Sequence, residues 1–404
     1  MSKWPTTKIS DICTRIAMGP FGSNIKVDNF VPSGVPVLNG ANLAGFKLKE
    51  DSFNYVTEHK AEELKNSLAY RGDIVVTHRG TLGQIVYIPS DSRFDKYLIS
   101  QSQFLLRVDS DKADSRFITY FFHSVYGQYL LLSNASQVGV PALARPTSTF
   151  KSLEIPLPPL RIQKKIADFL CLLDKKVQLN AQINRNLEQQ AQAIFKSWFV
   201  ETVNPHCHVG TIADLGEVVG GSTPSKAHSE YYTEHGIAWI TPKDLSMDKS
   251  KFITHGEIDI TQAGLNNSSA KVMPKGTVLF SSRAPIGYIA IAAGEVCTNQ
   301  GFKSVVPHVH IATPYVYFFL KENLPSIEGV ATGSTFKEVS GSAMKSVPAI
   351  IPDSDTLNRF TELCVPIFTE QEKLEAESRR LATLRDTLLP RLMSGEIDVS
   401  EVEV

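Results

Sequence analysis

Two arginines stand at matching places in the chain. Arg79 closes the run GDIVVTHR that begins at Gly72, and Arg283 closes GTVLFSSR, beginning at Gly276. Each follows an apolar, β-branched stretch and precedes a loop containing Gly83 or Gly287. A guanidinium so placed can pair bidentately with guanine O6 and N7, clamp a phosphate, or close a strand end with an ion pair. Arg283 is the only arginine between Arg185 and Arg359. The neighbouring Thr77, His78, Ser281 and Ser282 can hydrogen-bond bases or phosphates. Upstream of each arginine lies a loop rich in glycine and hydroxyls. GPFGSNIK carries Ser23, Asn24 and Lys26, and GGSTPSK carries Ser222, Thr223, Ser225 and Lys226. Backbone N–H groups with a trailing lysine suit a phosphate, although the same residues make a plain tight turn. The phosphate-loop pattern GxxxxGK[ST] is absent from both.

Thr241 and Lys243 in TPKD answer to Asn39, Ala41 and Asn42 in the first set. Asparagine suits an adenine edge or a turn, and Gln101, Gln103, Asn299 and Gln300 are candidates of the same kind. Ser334 and Lys337 belong to TGSTFK, with Gln137 to Pro141 as a looser counterpart. Catalytic constellations do not assemble. His206, Cys207 and His208 have no second ligand pair at metal-binding spacing and read as linker. Asp244 with Glu257, and Asp353 with Glu362, read as solvated carboxylates. Neither GxGxxG nor an (Asn/Asp)-Pro-Pro-aromatic motif occurs. The chain by itself is predicted not to be an enzyme.

These matched residues belong to an internal repeat whose offset drifts from about 204 to about 194 residues. Ile9, Asp11 and Ile12 return as Ile212, Asp214 and Leu215; Tyr120–Phe122 returns as Tyr317–Phe319; Lys151–Leu153 returns as Lys345–Val347. Within each repeat, short β-rich runs such as Asp73–Thr77, Gln84–Ile88, Val278–Ser282 and Tyr288–Ala292 alternate with turn residues. Helical segments are predicted at Arg116–Leu132 and Pro314–Glu322. Each repeat then ends in a long helix. After PLPP at Pro156–Pro159, no Gly or Pro occurs from Arg161 to Phe199. Apolar residues recur at Ile162, Ile166, Phe169, Leu173, Leu187, Ala191, Ile194 and Trp198, a coiled-coil stripe with Asn180 in its gap as a register device. In the second helix Phe360, Ile367, Leu374, Leu381 and Leu388 keep seven-residue spacing, and Pro366 and Pro390 predict a kink or a late start.

The expected fold is α+β: two mixed α/β globules in internal repeat, separated by two long antiparallel coiled-coil helices. The boundaries are 1–155, 156–203 (helix), 204–354 and 355–404 (helix). Antiparallel packing would relate the globules by a two-fold, as the local axes of a duplex demand. A helix of ~36 residues spans about 54 Å, roughly 16 base pairs, which bounds the separation of two reading heads. A coiled-coil scaffold with two protein-binding globules is the alternative that the same architecture allows.

Composition is that of an ordinary folded protein: 404 residues, 42% hydrophobic and 21% charged. Intrinsic disorder and disulfide miniproteins are excluded. With 41 basic and 42 acidic residues the net charge is −1, so there is no general polycationic coat. Residues 1–155 carry +3 and 156–200 carry +4, whereas 201–355 and the remainder carry −4 each. The second globule would therefore need a focused patch. Five scattered cysteines without a CxxC pair read as free thiols. No signal peptide and no apolar run of roughly 20 residues is present, so a cytoplasmic location without membrane association is expected.

Three stretches resemble the specificity subunits of type I restriction–modification systems. One is IPLPPLRIQKKIADFL from Ile155, continuing to LEQQAQAIFKSWF from Leu187. A second comprises GGSTPS, WITPKDL, FSSR and TNQGFK between Gly220 and Lys303. The third is LRDTLLPRLMSGEI from Leu384. The resemblance spans nearly the whole chain; Pro366 and the acidic Glu370, Glu372, Glu375 and Glu377 depart from it. It implies that each globule is a target-recognition domain reading half of a split, asymmetric site in double-stranded DNA. It implies that the helices dock two methyltransferase (modification) subunits, with restriction subunits joining; Trp198, Phe199, Leu388 and Leu392 are the candidate contacts. It further implies no cofactor in this chain, since S-adenosylmethionine, ATP and Mg would belong to the partner subunits.

Overall fold

A helix striped with apolar residues at three- and four-residue steps has to cover that stripe, and two such helices organise this molecule. The computed structural model describes residues 3–136, 139–201, 207–333, 335 and 337–400. The first long helix runs Leu160–Phe199, starting directly after Pro159, and the second runs Ser354–Ser394. The second helix begins at Ser354, ahead of Pro366, against the predicted late start, and it continues through Pro366 and Pro390 without a break. Both prolines are exposed, as are Glu362 and Asp386 four residues before them. The carbonyls that lose their N–H partner therefore lie on the water side, where hydration replaces the missing bond.

The chain divides into two units, Met1–Lys176 with Arg380–Val404, and Val177–Arg379. Each unit joins one globule to a segment of each long helix. In the first, an antiparallel sheet has the strand order Cys13–Met18, Gln103–Val108, Ile74–Thr77, Ile85–Tyr87. A second sheet of five short strands packs a separate layer around Leu38, Tyr97 and Leu105. The predicted helix over 116–132 is two helices, Ser115–His123 and Val125–Leu132. They part at Ser124, whose hydroxyl accepts from Gly127 N at 3.1 Å and caps the second. The strand Thr6–Lys8 pairs with Glu154–Pro156 and closes the globule.

The second unit repeats this plan. Its main sheet runs Gly216–Gly220, Lys303–Pro307, Val278–Ser282, Ile286–Ala292, with Phe252–Ile253 added in parallel at the edge. His208–Thr211 pairs with Pro348–Ile351 as the closing strands. The repeat extends to turn geometry: Gly72 and Gly276, two residues before equivalent sheet strands, both have φ of 87°. A side chain is strained in that left-handed region.

Within each unit the helix segments pair with falling register. In the first, Ile166 and Leu170 share a core with Leu389, Leu392 and Met393. In the second, Ala191, Phe195 and Phe199 share one with Leu357, Phe360 and Cys364. Asn180 is fully buried, and its Nδ2 donates to Glu377 Oε2 at 2.7 Å and Ser378 Oγ at 3.3 Å. That is the polar register contact its place in the stripe predicted.

Polar contacts seat each globule on its helices. In the first unit Arg116 bridges Asp114 and Asp168. Asp174 accepts from Tyr120 Oη and from Arg385 Nη1, the latter at 2.6 Å. In the second unit Lys251 is the plug. Its Nζ lies 2.7 Å from Glu188 Oε2, 2.8 Å from Gln371 Oε1 and 3.2 Å from the centre of the Phe368 ring. Lys321 Nζ holds the other Glu188 oxygen at 2.7 Å. Burial opposes the charge on Glu188, but Lys251 and Lys321 hold its pKa below the usual carboxylate range.

Burial is the dominant effect on Lys251 and pushes its pKa down to about 8 from 10.5, despite Glu188. Above pH 8 the folded chain sheds this proton while the unfolded chain keeps it up to the ordinary lysine range. The unfolded state then binds more protons, so this group's contribution to stability rises with pH over that window and is lost as pH falls back through 8. Denaturant unfolding from pH 7 to 10.5 should show this rise in the native chain and lack it in Lys251→Met. Identical slopes for the two would mean that Lys251 keeps an ordinary pKa.

Candidate nucleic-acid interface

The second globule brings three of the sequence stretches to one place. Trp239–Ile240 pairs in parallel with Cys297–Thr298, and Asn299 N donates to Ile240 O at 3.0 Å. On its other side the same 298–302 segment is tied to the end of the Arg283 strand, through Ser282 N to Gly301 O at 2.7 Å. Gly221 lies against it: a Cβ there would sit 1.9 Å from Asn299 O. This glycine therefore serves a close backbone approach. The adjacent Ser222 N–H is already given to Thr298 O at 2.9 Å and is not free for a phosphate.

Where these segments meet is a cleft of about 610 Å³. Thr223, Lys226, Thr241, Lys243, Asn299 and Gln300 all line it. Other walls were not singled out by residue in the sequence, Ser229, Tyr232 and Ile258, and Trp239 entered only as part of the WITPKDL stretch. Their signal is weak, because aromatic and aliphatic residues in β-rich runs usually mark core. Trp239 is pinned by its indole N–H to Ser222 O at 3.0 Å, and the Tyr232 hydroxyl donates to Pro224 O at 2.6 Å. Lys243 forms an ion pair with Glu257, another lining residue, and that contact raises its pKa. Thr223 Oγ1 donates to Gln300 Oε1, and Asn299 Oδ1 accepts from Gly301 N at 2.9 Å.

Several candidates are framework. Thr241 caps the helix Pro242–Met247, donating its hydroxyl to Asp244 Oδ2 at 2.6 Å. Asp244 is not the solvated carboxylate expected; it is buried and accepts from Thr241 N at 2.7 Å and Glu257 N at 2.8 Å. Ser281 and Ser282 have no exposed surface, and their hydroxyls donate to Pro285 O and Gly301 O. Arg283 Nη1 lies 3.3 Å from Glu338 Oε2, and Lys303 Nζ lies 3.4 Å from Oε1 of the same carboxylate. The ion-pair alternative thus holds for one face of that guanidinium, which keeps about a third of its side-chain surface exposed. Ser225, Lys226 and Lys337 are exposed, and Ser222 is half-buried.

The first globule builds the same junction with different side chains. Gly19 presses on Ser100 O as Gly221 does on Asn299 O. Asn39 is exposed but its Oδ1 accepts from Ala41 N at 2.8 Å. Asn42 is buried, donating to Lys49 O and Ser52 O, and so clasps a loop. Thr77 and Gln103 are buried as well. Thr77 Oγ1 donates to Gln84, whose Nε2 reaches Gly40 O at 3.0 Å, a link the sequence did not suggest. Gln103 Oε1 accepts from Ser100 N at 2.9 Å. Arg79, Gln101, Asn24 and Lys26 are exposed. Among the described residues the Arg79 guanidinium makes no hydrogen bond or ion pair. His78 is half-buried with Nε2 3.1 Å from Gln101 O, and burial lowers its pKa, so it stays neutral at pH 7. Ser334, Gln137 and His206 lie outside the described residues, as does the side chain of Ser23.

Two of the four helix residues expected to meet a partner are buried, and the other two are partly covered. Phe199 and Leu392 are buried core members, and Trp198 and Leu388 pack against the same cores. Among the described residues no group of His, Cys, Asp and Glu is placed to hold a metal. No described helix is long and apolar enough to cross a membrane.

The family model described as "Type I restriction modification DNA specificity domain" matches residues 1–189 and again 206–372. The HindI specificity subunit of Haemophilus influenzae is 25% identical, over 98% of this chain and all of the relative. The MjaIX specificity subunit of Methanocaldococcus jannaschii is 40% identical over 163 residues, which is 40% of this chain and 38% of that relative. In three dimensions the chain is similar to the S subunit of a type I restriction-modification system from M. genitalium. The TM-score is 0.63 at 18% identity, over 97% of this chain and 96% of the other.

Asp244 anchors the wall of the cleft, so Asp244→Ala should strand two backbone donors and the cap. A loss of about 1–3 kcal/mol is expected in denaturant unfolding, with Asp244→Asn milder because it keeps acceptor oxygen. Equal stability of Asp244→Ala and the native chain would remove it from this role.

Proposed function

Since the chain belongs to the type I restriction modification DNA specificity family, we propose that it recognises a bipartite, asymmetric site in double-stranded DNA on behalf of separate catalytic subunits. The observation that carries the reading is one framework repeated with different exposed chemistry. Both globules set a glycine against the same turn and place an arginine just beyond the end of the same strand, Arg79 two residues after Thr77 and Arg283 directly after Ser282. Around that frame the first presents Asn24, Lys26, Arg79 and Gln101, and the second Lys226, Lys243, Arg283, Asn299 and Gln300. Two unlike readers in one chain suit a target with two unlike halves. Phosphate contacts from the lysines would set orientation, while base edges met by the arginines and amides would carry specificity.

The methyltransferase subunits would dock on the long helices and supply S-adenosylmethionine, with the restriction subunits bringing ATP and Mg. Of the candidate contacts, Phe199 and Leu392 are buried in the cores, whereas Trp198 and Leu388 keep part of their surface for a partner. Exposed apolar residues of the same helices are the better surface: Leu172 and Leu384 in one unit, Leu179, Leu363 and Val365 in the other. A protein-binding scaffold, the alternative reading, would show no preference among DNA sequences.

Replacing residues 1–155 with the equivalent domain of a relative should change one half of the methylated motif, read by modification-sensitive sequencing of the host genome. A motif altered in both halves, or in neither, would count against the two-reader scheme. Arg283→Ala should weaken binding to the cognate duplex by roughly 1–3 kcal/mol and relax preference at one base pair. Unchanged affinity and preference would strike Arg283 from the reading groups.

A further inference from the structure

The loop GPFGSNIK of the first globule holds an aromatic ring out in water. Phe21 is 84% exposed, the most exposed aromatic side chain among the described residues. Its backbone, by contrast, is fixed on both sides. Gly19 N donates to Gln103 O at 2.8 Å, and Gly19 lies so close to Ser100 O that a Cβ has no room. Pro20 is buried. Beyond the ring, Asn24 N donates to Phe21 O at 2.8 Å, and Gly22 rests directly on the side-chain amide of Gln101. Gln101 O in turn lies 3.1 Å from Nε2 of His78, the residue before Arg79, so the loop and the Arg79 strand end form one continuous patch. The three segments that build this patch, residues 12–27, 74–90 and 96–108, contain no aspartate or glutamate. Asn24, Lys26, Arg79 and Gln101, which they contribute, are all exposed.

We propose that Phe21 is the apolar contact through which the first globule engages the bases of its half-site, its ring leaving water against a base on binding. The inference rests on the DNA-recognition reading above and adds a specificity residue that makes no hydrogen bond. A single exposed apolar side chain is ordinary at a protein surface. Two features set this one apart. The backbone beneath it is held in place before any ligand arrives, and the surround is basic and free of acid, which suits a polyanion better than an apolar protein face. Within a duplex, the apolar surface that carries sequence information belongs to the bases. It is the methyl group of thymine in the major groove, or the face of a base at an opened step. The second globule has no counterpart. Gly221 repeats the close approach of Gly19, but the residue two places on is Thr223, whose hydroxyl is given to Gln300. The apolar determinant is therefore confined to the first half-site.

Phe21→Ala removes the ring without opening a core, so its unfolding midpoint should match that of the native chain. The full chain, purified with the subunits it assembles with, is titrated with its cognate duplex and with a duplex of random sequence. The variant should bind the cognate duplex roughly tenfold more weakly and the random duplex as the native chain does. The deficit should be the same at about 50 and about 200 mM salt, because an apolar contact releases no counterions. Two further arms locate the surface that the ring covers. If it is the methyl group, uracil in place of thymine in the first half-site should weaken the native complex by the same factor and leave the variant unchanged. If it is a base face, uracil should be tolerated, and 2-aminopurine at the contacted step should brighten when the native chain binds but not the variant. Unchanged cognate affinity overturns the inference, as does a deficit that neither arm explains. A loss equal on both duplexes, or one that shrinks as salt rises, marks a backbone contact and overturns it too. Failure of the variant to assemble with its subunits would put a protein partner on the ring instead. A native complex with no sequence preference sinks the recognition reading itself, a result distinct from a native preference that Phe21→Ala leaves unaltered.

Discussion

Burial of the two helix stripes is the constraint from which the rest of the structure follows. Neither helix could leave its apolar residues in water, and each unit solves this by a three-way core. In the second unit Phe195 of the first helix packs between Tyr315 and Phe318 of the globule and Phe360 of the second helix, with ring centres 5.5–6.0 Å apart. In the first unit Ile166 and Leu170 meet Phe117 and Tyr120 of the globule and Leu389 and Leu392 of the second helix. The globules therefore do not hang from a finished rod. Removing a globule would strip one wall from the core that holds the helix segments together.

Around those apolar cores the polar seats differ, although the repeat places similar parts there. Tyr120 and Tyr317 are equivalent, and each donates to a carboxylate on the first helix, Asp174 or Glu188. The cation–aromatic contact beside each is built the opposite way round. In the first unit the ring is on the globule, Phe46, and the cation Arg385 is on the helix, 4.4 Å from the ring centre. In the second unit the cation Lys251 is on the globule and the ring Phe368 is on the helix. Two seats of opposite polarity disfavour exchange of one globule for the other, because a wrong pairing would bury a cation without its carboxylate or its ring.

The candidate interface residues obey the same economy of polar groups. Side chains close to the sheet ends are occupied in holding loops, as Asn42, Thr77, Gln103, Ser281 and Ser282 are. Those one or two residues farther out, such as Arg79, Gln101, Gln300 and Lys226, retain exposed polar atoms. Most buried hydroxyls and amides find a partner within the protein, and their burial keeps them out of a ligand's reach, although Gln103 Nε2 is buried without a hydrogen bond. Adjacent residues of similar chemistry are divided in this way between framework and exposed surface.

The residue order by itself determined the duplication, the two long helices, the α+β character and the sheet strands at 74–77 and 278–282. Those features rest on periodicity and on repeated motifs, which are local properties of the chain. It also pointed to the segments that meet in the cleft of the second globule, since Thr223, Lys243 and Asn299 were singled out by type and place. What it could not assign was direction. Whether Ser281 faces inward, whether Asp244 is solvated or a buried cap, and whether Trp198 is free for a partner depend on residues far away in the chain. The same holds for Pro366 and Pro390, which would break a lone helix but are carried here by packing on the opposite face. Only the folded structure decided these matters, because burial and hydrogen-bond satisfaction are set by neighbours in space and not by neighbours in sequence.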